Sequence, residues 1–486
     1  MSKEITNLEP KALWEHFYQL TQIPRPSKKE ARIQEFMMNF GKSLGLETIK
    51  DATGNIIIRK PATPGMENRK GVVLQGHLDM VPQKNNDTRH DFENDPIDAY
   101  IDGDWVTAKG TTLGADNGIG VAAAMTVLAD KTMQHGPIEA LFTCDEETGM
   151  TGAFGLKGDV LKGDILLNMD SEDEGELYVG CAGGVDANIK FEFDQVVVPS
   201  GVKAFDLVVS GLKGGHSGMD IILGLGNANK LLVRFLKHAV TELDVRLAEI
   251  NAGGLRNAIP REGSVRVVVP EENVDALKKA VAEYEAIYKT ELSSREPNLS
   301  FVAKEADMPK SLIDEAVQDG LIDSVNACPN GVIRMSDDVP GLVETSTNLA
   351  SIKSENGTVS IQCLLRSSVD SAKQYLSERI DSVFSLAGAT VVFAGGYPGW
   401  KPNMASPILK QMQQIYNDKF GKVPEIKAIH AGLECGLLGA VYPNWDMISF
   451  GPTIRSPHSP DEKVYIESVK KFWDFLVETL KSVEEK

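Results

Sequence analysis

The sequence predicts an α/β protein in which one domain, built on a central mixed sheet, is split by an inserted α+β domain. Three observations lead there. Strand-like apolar runs alternate with helical stretches over residues 1–186 and again over 395–486, the pattern of a layered α/β fold. Residues 187–394 change character, with several sheet-like runs separated by long helical stretches. Strand-like segments of the flanking parts end in histidine or carboxylate strings, as an open α/β sheet presents them at the carboxyl ends of its strands. A chain of 486 residues is too long for one ordinary core. The expected domains are therefore 1–186 with 395–486, and 187–394.

The elements follow in order. Helical spacing runs from about Lys28 to Leu46 and leads to the strand NIIIRK, then to VVLQG. NGIGVAAAMTVLAD is a helix whose Gly and Ala face allows close packing on a sheet, and IEALFT and DILLNM are further strands. In the inserted part, AFDLVVSGL, SVRVVVP and VSIQCLLRSS read as sheet, while GNANKLLVRFLKHAV and SAKQYLSERIDSVFSLAG carry apolar residues at helical spacing. NLASIKSENGTVSIQ is a hairpin turning at ENG. GGYPGW suits a hinge where the chain returns, so a pair of crossings joins the domains.

Short polar strings carry the chemistry. GHLDM offers His77 and Asp79, LGADNG offers Asp116, TCDEETG offers Glu146 and Glu147, LLNMD offers Asp170 and RSPHSPDE offers His458. Two imidazoles and several carboxylates are the donor set of a pair of zinc-like ions, with Asp116 as the bridge. Residues two apart on a strand share a side, so Asp79 can act as the acceptor that fixes the His77 ring. Adjacent glutamates diverge at a strand end, so one ligates while the other faces water. Glu147 is assigned to the metal and Glu146 to the general base, although spacing alone leaves the two exchangeable. Because His458 must meet His77 in space, the first domain is the split one.

Composition narrows the classes. Fifty basic against sixty-nine acidic side chains give a net charge of −19, which argues against nucleic acid as a partner. No apolar run approaches the ~18 residues of a membrane span, and the start, MSKEITNLEPKALWEHF, lacks a secretory pattern, so the cytoplasm is expected. Five cysteines without CxxC spacing read as reduced thiols.

GHLDMVPQ, GTTLGADNGIG, the EE pair, NMDSEDEGE, LKGGHSG, NAGGLRNAIPRE, HAGLECG and GPTIRSPHSPDE, in order along nearly the whole chain, resemble the bacterial aminoacyl-histidine (Xaa-His) dipeptidases. These sit in the wider zinc group with glutamate carboxypeptidase and acetylornithine deacetylase. The resemblance implies a split di-metal catalytic domain and an inserted lid domain. It implies one ion on His77, Asp116 and Asp170, the other on Asp116, Glu147 and His458, with Asp79 orienting His77 and Glu146 as base. It further implies substrate or oxyanion contacts from His216, Asn257, Arg366 and Gly432, a homodimer, and a dipeptide substrate with C-terminal histidine. Zinc is the expected metal, with cobalt or manganese accommodated by the same donors.

Three other readings stand beside this one. A sister amidohydrolase, acting on N-acyl amino acids or longer peptides, would keep the metals and change the lid. KGTTLGADNGIG before a helix suggests a phosphate loop, but it lacks the GK(S/T) ending and does not match GxGxxG. A metal-free binding module is disfavoured because every ligand position is filled.

Overall fold

The computed structural model describes residues 3–486, and the chain divides into two compact units. The first runs up to Gly180 and takes in Pro402–Ala428 and Leu433–Lys486. The second is Cys181–Lys401 with Ile429–Gly432. The boundaries thus lie at 180/181 and 401/402, outside the expected 186/187 and 394/395. A backbone pairing accounts for this: Cys181 and Trp400 exchange N–H···O bonds of 3.0 and 2.9 Å, so entry and exit strands belong together. The short return of Ile429–Gly432 makes the crossings four, where a single pair was expected.

The first unit is organised by an eight-stranded mixed sheet. Its order is Glu47–Lys50, Ile56–Lys60, Ile138–Thr143, Val72–His77, Ile165–Asn168, Asp446–Ser449, Glu176–Cys181 and Glu425–Ile429. Ile138–Thr143, Val72–His77, Ile165–Asn168 and Asp446–Ser449 run parallel, and the first three are buried throughout. Near-continuous apolar runs suit strands covered on both faces. Helix Ala115–Ala129 lies against this layer, and its small face is used: a Cβ on Gly120 would stand 2.6 Å from the Met169 carbonyl oxygen. A four-stranded sheet pairs Ile454–Arg455, Lys463–Tyr465, Trp105–Ala108 and Ala99–Asp102, so residues 456–462 form a connection anchored at both ends.

The second unit carries a nine-stranded antiparallel sheet with helices Ala228–Leu243, Val274–Leu292, Glu315–Ala327 and Asp370–Leu386. Strands Val343–Glu355 and Thr358–Ser367 form the expected hairpin. Asn356 and Gly357 have φ of 50° and 78°, the left-handed pair that a two-residue type I′ turn requires. Among the described residues, no helix is long and apolar enough to cross a membrane.

Candidate active site

Three parallel strands deliver the candidate ligands from their carboxyl ends. His77 closes Val72–His77, Asp170 follows Ile165–Asn168 by two residues, and Glu146 and Glu147 follow Ile138–Thr143. Asp116 stands in the first turn of helix Ala115–Ala129, where its own φ and ψ of −80° and 112° break the helical path. His458 lies in the 456–462 connection with φ of 60°.

These residues converge as two groups that share Asp116. His77, Asp116 and Asp170 form one, and Asp116, Glu147 and His458 the other, each with donor atoms within 4.8 Å of one another. His77 Nε2 is 3.1 Å from Asp116 Oδ1 and 3.2 Å from Asp170 Oδ1. His458 Nε2 is 3.2 Å from Asp116 Oδ2 and 2.9 Å from Glu147 Oε2. Glu147, not Glu146, shares the group with Asp116 and His458. The glutamate pair starts a short helical turn, Glu146–Gly149, entered through Asp145 at φ 53°, where an extended strand end was expected.

The donor set fits divalent cations. Glu147 Oε1 is buried without a hydrogen-bond partner, a costly state for a carboxylate oxygen that a cation relieves. A further acidic group, Glu30, Asp79 and Asp145, differs: its oxygens accept from Lys28 N, Asp145 N, Ser27 Oγ, Glu146 N, Glu147 N and the hydroxyls of Thr148 and Thr151. That group is satisfied by the protein itself.

Asp79 has more partners than strand spacing suggested. Its Oδ1 lies 3.4 Å from His77 Nδ1, while its own carbonyl oxygen is nearer at 3.2 Å. Its carboxylate also accepts from Glu146 N at 3.0 Å and Glu147 N at 3.2 Å, so it ties the His77 strand end to the glutamate turn.

Electrostatics follow from burial in an acidic setting. Burial lowers the His77 pKa, but Asp170, Asp116 and Asp79 outweigh it and hold the imidazole protonated well above its ordinary value. Hydrogen bonds to Asp116 and Glu147 raise His458 to about 11. Burial pushes Asp116 up, yet His458 and His77 bring it below the usual carboxylate range. Burial raises Asp170 to about 6 and Glu146 well above the ordinary glutamate value, the latter helped by Asp170, Glu434 and Glu147.

His216, Asn257, Arg366 and Gly432 all belong to the second unit. His216 Nδ1 accepts from Gly218 N at 3.2 Å and Met219 N at 3.0 Å, so the neutral ring carries its proton on Nε2 and presents a donor there. Ser217 N donates to the Asn257 carbonyl at 2.8 Å, which sets these two loops side by side. Arg366 is buried, with Nη1 3.2 Å from Tyr397 Oη and Nε without a partner. A Cβ on Gly218 would stand 2.3 Å from His430 O, 3.1 Å from His216 Cε1 and 3.3 Å from Arg366 Nε, so only glycine lets these groups converge.

Several residues near the ligands were not anticipated. Glu434 accepts from Gln75 Nε2 at 2.6 Å and Thr143 Oγ1 at 2.7 Å, and burial raises it to about 7. Burial raises Glu172 to about 8, with Asp116 and Asp170 adding to it. Arg25 and Glu462 hold backbone beside Asp79 and Asp116. Glu462 ends the quoted string RSPHSPDE, the one signal that could have singled it out.

The chain is 52% identical over 483 residues to the cytosol non-specific dipeptidase of Escherichia coli (strain K12), covering 99% of this chain and 100% of that protein. A crystal structure of an aminoacylhistidine dipeptidase from Vibrio alginolyticus superposes with a TM-score of 0.95 at 52% identity, covering 99% and 98% of the two chains. An aminopeptidase, PepT, from Bacillus cereus shares the fold at 15% identity, with a TM-score of 0.58 and coverage of 98% and 99%. Residues 73–482, from the His77 strand to the last helix, match the profile of peptidase family M20/M25/M40. The chain thus carries paired histidine and carboxylate groups that could hold divalent cations, and it belongs to peptidase family M20/M25/M40.

Proposed function

We propose that this protein is a cytoplasmic dipeptidase that hydrolyses unblocked dipeptides, preferentially those ending in histidine, with two zinc ions per chain. The observation that carries the reading is the pair of donor groups sharing Asp116, with the half-buried Glu146 in the adjoining His77 and Glu147 group. His77, Asp116 and Asp170 would hold one ion, and Asp116, Glu147 and His458 the other. When bound, the cations polarise the scissile carbonyl and make water acidic enough to attack near neutral pH.

The chain's own groups handle the protons. Glu146 takes a proton from the attacking water as the C–O bond forms, then delivers it to the amine as the C–N bond breaks. Asp79 keeps the His77 ring and the Glu146 backbone in register. In the second unit, the Nε2–H of His216 is a donor suited to the tetrahedral oxyanion. Arg366, with its unpartnered Nε, and Asn257 would receive the substrate carboxylate, and Gly432 would lie against its backbone. A homodimer belongs to the proposal on the resemblance alone, since His216 and Arg366 of one chain already converge around Gly218.

The names of the two relatives differ on breadth, one non-specific and the other aminoacylhistidine. The test is a panel of unblocked dipeptides, including β-Ala-His and Gly-His, beside N-acyl amino acids. Metal-stripped protein is assayed before and after zinc, cobalt or manganese. Metal-restored cleavage favouring Xaa-His is the expected result. Equal rates across the panel would remove the histidine preference, and cleavage of N-acyl amino acids alone would remove the dipeptidase reading.

A further inference from the structure

The turn Leu113–Asp116 is gripped by two buried charged side chains that are not among the candidate ligands. Glu462, four residues after His458, takes four backbone N–H groups on one carboxylate. Its Oε2 accepts from Leu113 N at 2.7 Å and Gly114 N at 3.0 Å, and its Oε1 from Ala115 N at 2.8 Å and Asp116 N at 3.2 Å. Thr107 Oγ1 donates to the Glu462 carbonyl at 2.7 Å and pins its backbone. From the other side, Arg25 Nη1 donates to the carbonyls of Leu78 and Asp79, both at 2.9 Å, and Nη2 to that of Gly114.

The turn needs such a grip. Gly114 sits at φ 72°, Asp116 and Asn117 leave helical geometry, and the first N–H groups of a helix have no acceptor within it. Here the turn is buried, so solvent cannot supply one. A side chain from elsewhere in the sequence does so. Two bonds to each oxygen use the lone-pair directions of a carboxylate, which leaves Glu462 no free pair for a cation. It acts through the backbone that carries Asp116.

We propose that Glu462 is a positioning residue for the cation site of Asp116, Glu147 and His458. It joins the Asp116 turn to the segment that bears His458, and so sets the separation of those two ligands. Arg25 joins the same turn to the strand end that bears His77 and Asp79. The inference rests on the two-cation reading above. Because only His458 rides on the Glu462 segment, losing the carboxylate weakens the His458 site more than the His77 site. In Glu462→Gln an amide NH₂ would face two backbone N–H groups, and the turn must move away from it.

The experiment is a cobalt titration of the metal-stripped full chain, followed by visible absorption and by calorimetry. Thermal melts of the metal-free forms run alongside. The step that His458→Ala removes from the wild-type titration identifies the His458 site. Glu462→Gln is expected to weaken that step about 10–100-fold, the usual cost of losing a partner that orients a ligand, and to change its absorption band. The His77 step changes less. Glu462→Asp, one methylene short, shows the same selectivity with a smaller loss, and it carries the test if Glu462→Gln does not fold. A folded variant that takes cobalt at both steps with wild-type affinity and spectrum, while only its metal-free melting temperature falls, overturns the positioning role. So does equal weakening of both steps. A wild-type chain that takes up no cobalt in two steps removes the cation reading itself.

Discussion

Glu146 faces an acidic neighbourhood from a half-exposed helical turn, and its place there sets what its removal does. Glu146→Gln keeps the size and takes away the proton acceptor. A general base contributes about 10²–10⁴-fold, so kcat should fall by that factor while cobalt affinity holds, because Glu146 is absent from both groups that share Asp116. Unchanged kcat would move the base elsewhere. The imidazoles add a pH dependence. In the metal-free fold His77 sits well above its ordinary pKa and His458 rises to about 11, held by their carboxylates. Both folded values exceed the unfolded one. Their stabilisation of the metal-free protein is therefore complete below about pH 6.5 and, for His458, is lost as pH rises toward about 11. Only a neutral imidazole ligates, so cation uptake must displace a proton from each ring. Cobalt affinity should rise with pH, and calorimetry in buffers of different ionisation enthalpy should count the released protons. An affinity flat with pH would contradict the bonding described for His77 and His458.

Elements were legible where period and turn chemistry agree. VVLQGH, IEALFT and the Asn356–Gly357 hairpin follow from apolar runs and a left-handed pair, which are local facts. The glutamate turn and the irregular start of helix Ala115–Ala129 were not legible, because Asp79 and Glu462 impose them from 67 and 346 residues away. The ligand strings could be read residue by residue, whereas the grips on them are long-range hydrogen bonds that no local pattern encodes. Helix Ala115–Ala129 gives a prediction at this scale. A Cβ at Gly120 would meet Met169 O at 2.6 Å and Asn117 Oδ1 at 2.7 Å, so Gly120→Ala should destabilise by about 1–3 kcal/mol in denaturant unfolding. Helix Lys11–Thr21 packs on it through His16, whose Nδ1 is 2.9 Å from Thr126 Oγ1. Burial lowers His16 to about 4, below its unfolded value, so the fold prefers the neutral ring. Stability from this contact is present above about pH 6.5 and is lost as pH falls toward about 4. His16→Gln should flatten that acid limb; an unchanged limb would assign it to other groups, such as the buried His430, lowered to about 3.

At the scale of the whole chain, two separate cores hold the two units. One cluster includes Trp14, Phe17, Leu74, Phe142 and Phe475, the other Phe191, Phe205, Phe235, Phe301 and Phe384, and they share no residue. Two cores of this kind were expected from chain length and from the change of pattern, but the return of Ile429–Gly432 to the second unit was not, since four residues carry no periodicity. All the candidate ligands lie in the first unit, so a cation bound there adds stability to that core alone. A ligand at 100 times its dissociation constant stabilises by about 2.7 kcal/mol, and two sites roughly double the effect. Calorimetric scans should therefore show one transition that falls when metal is chelated and rises with added zinc, and a second that stays in place. Glu462→Gln should shrink the metal-dependent shift of the first transition without touching the second. If both transitions moved together with metal, or if a single transition carried the whole enthalpy, the two cores would be one cooperative unit, and the cation would stabilise the chain from end to end.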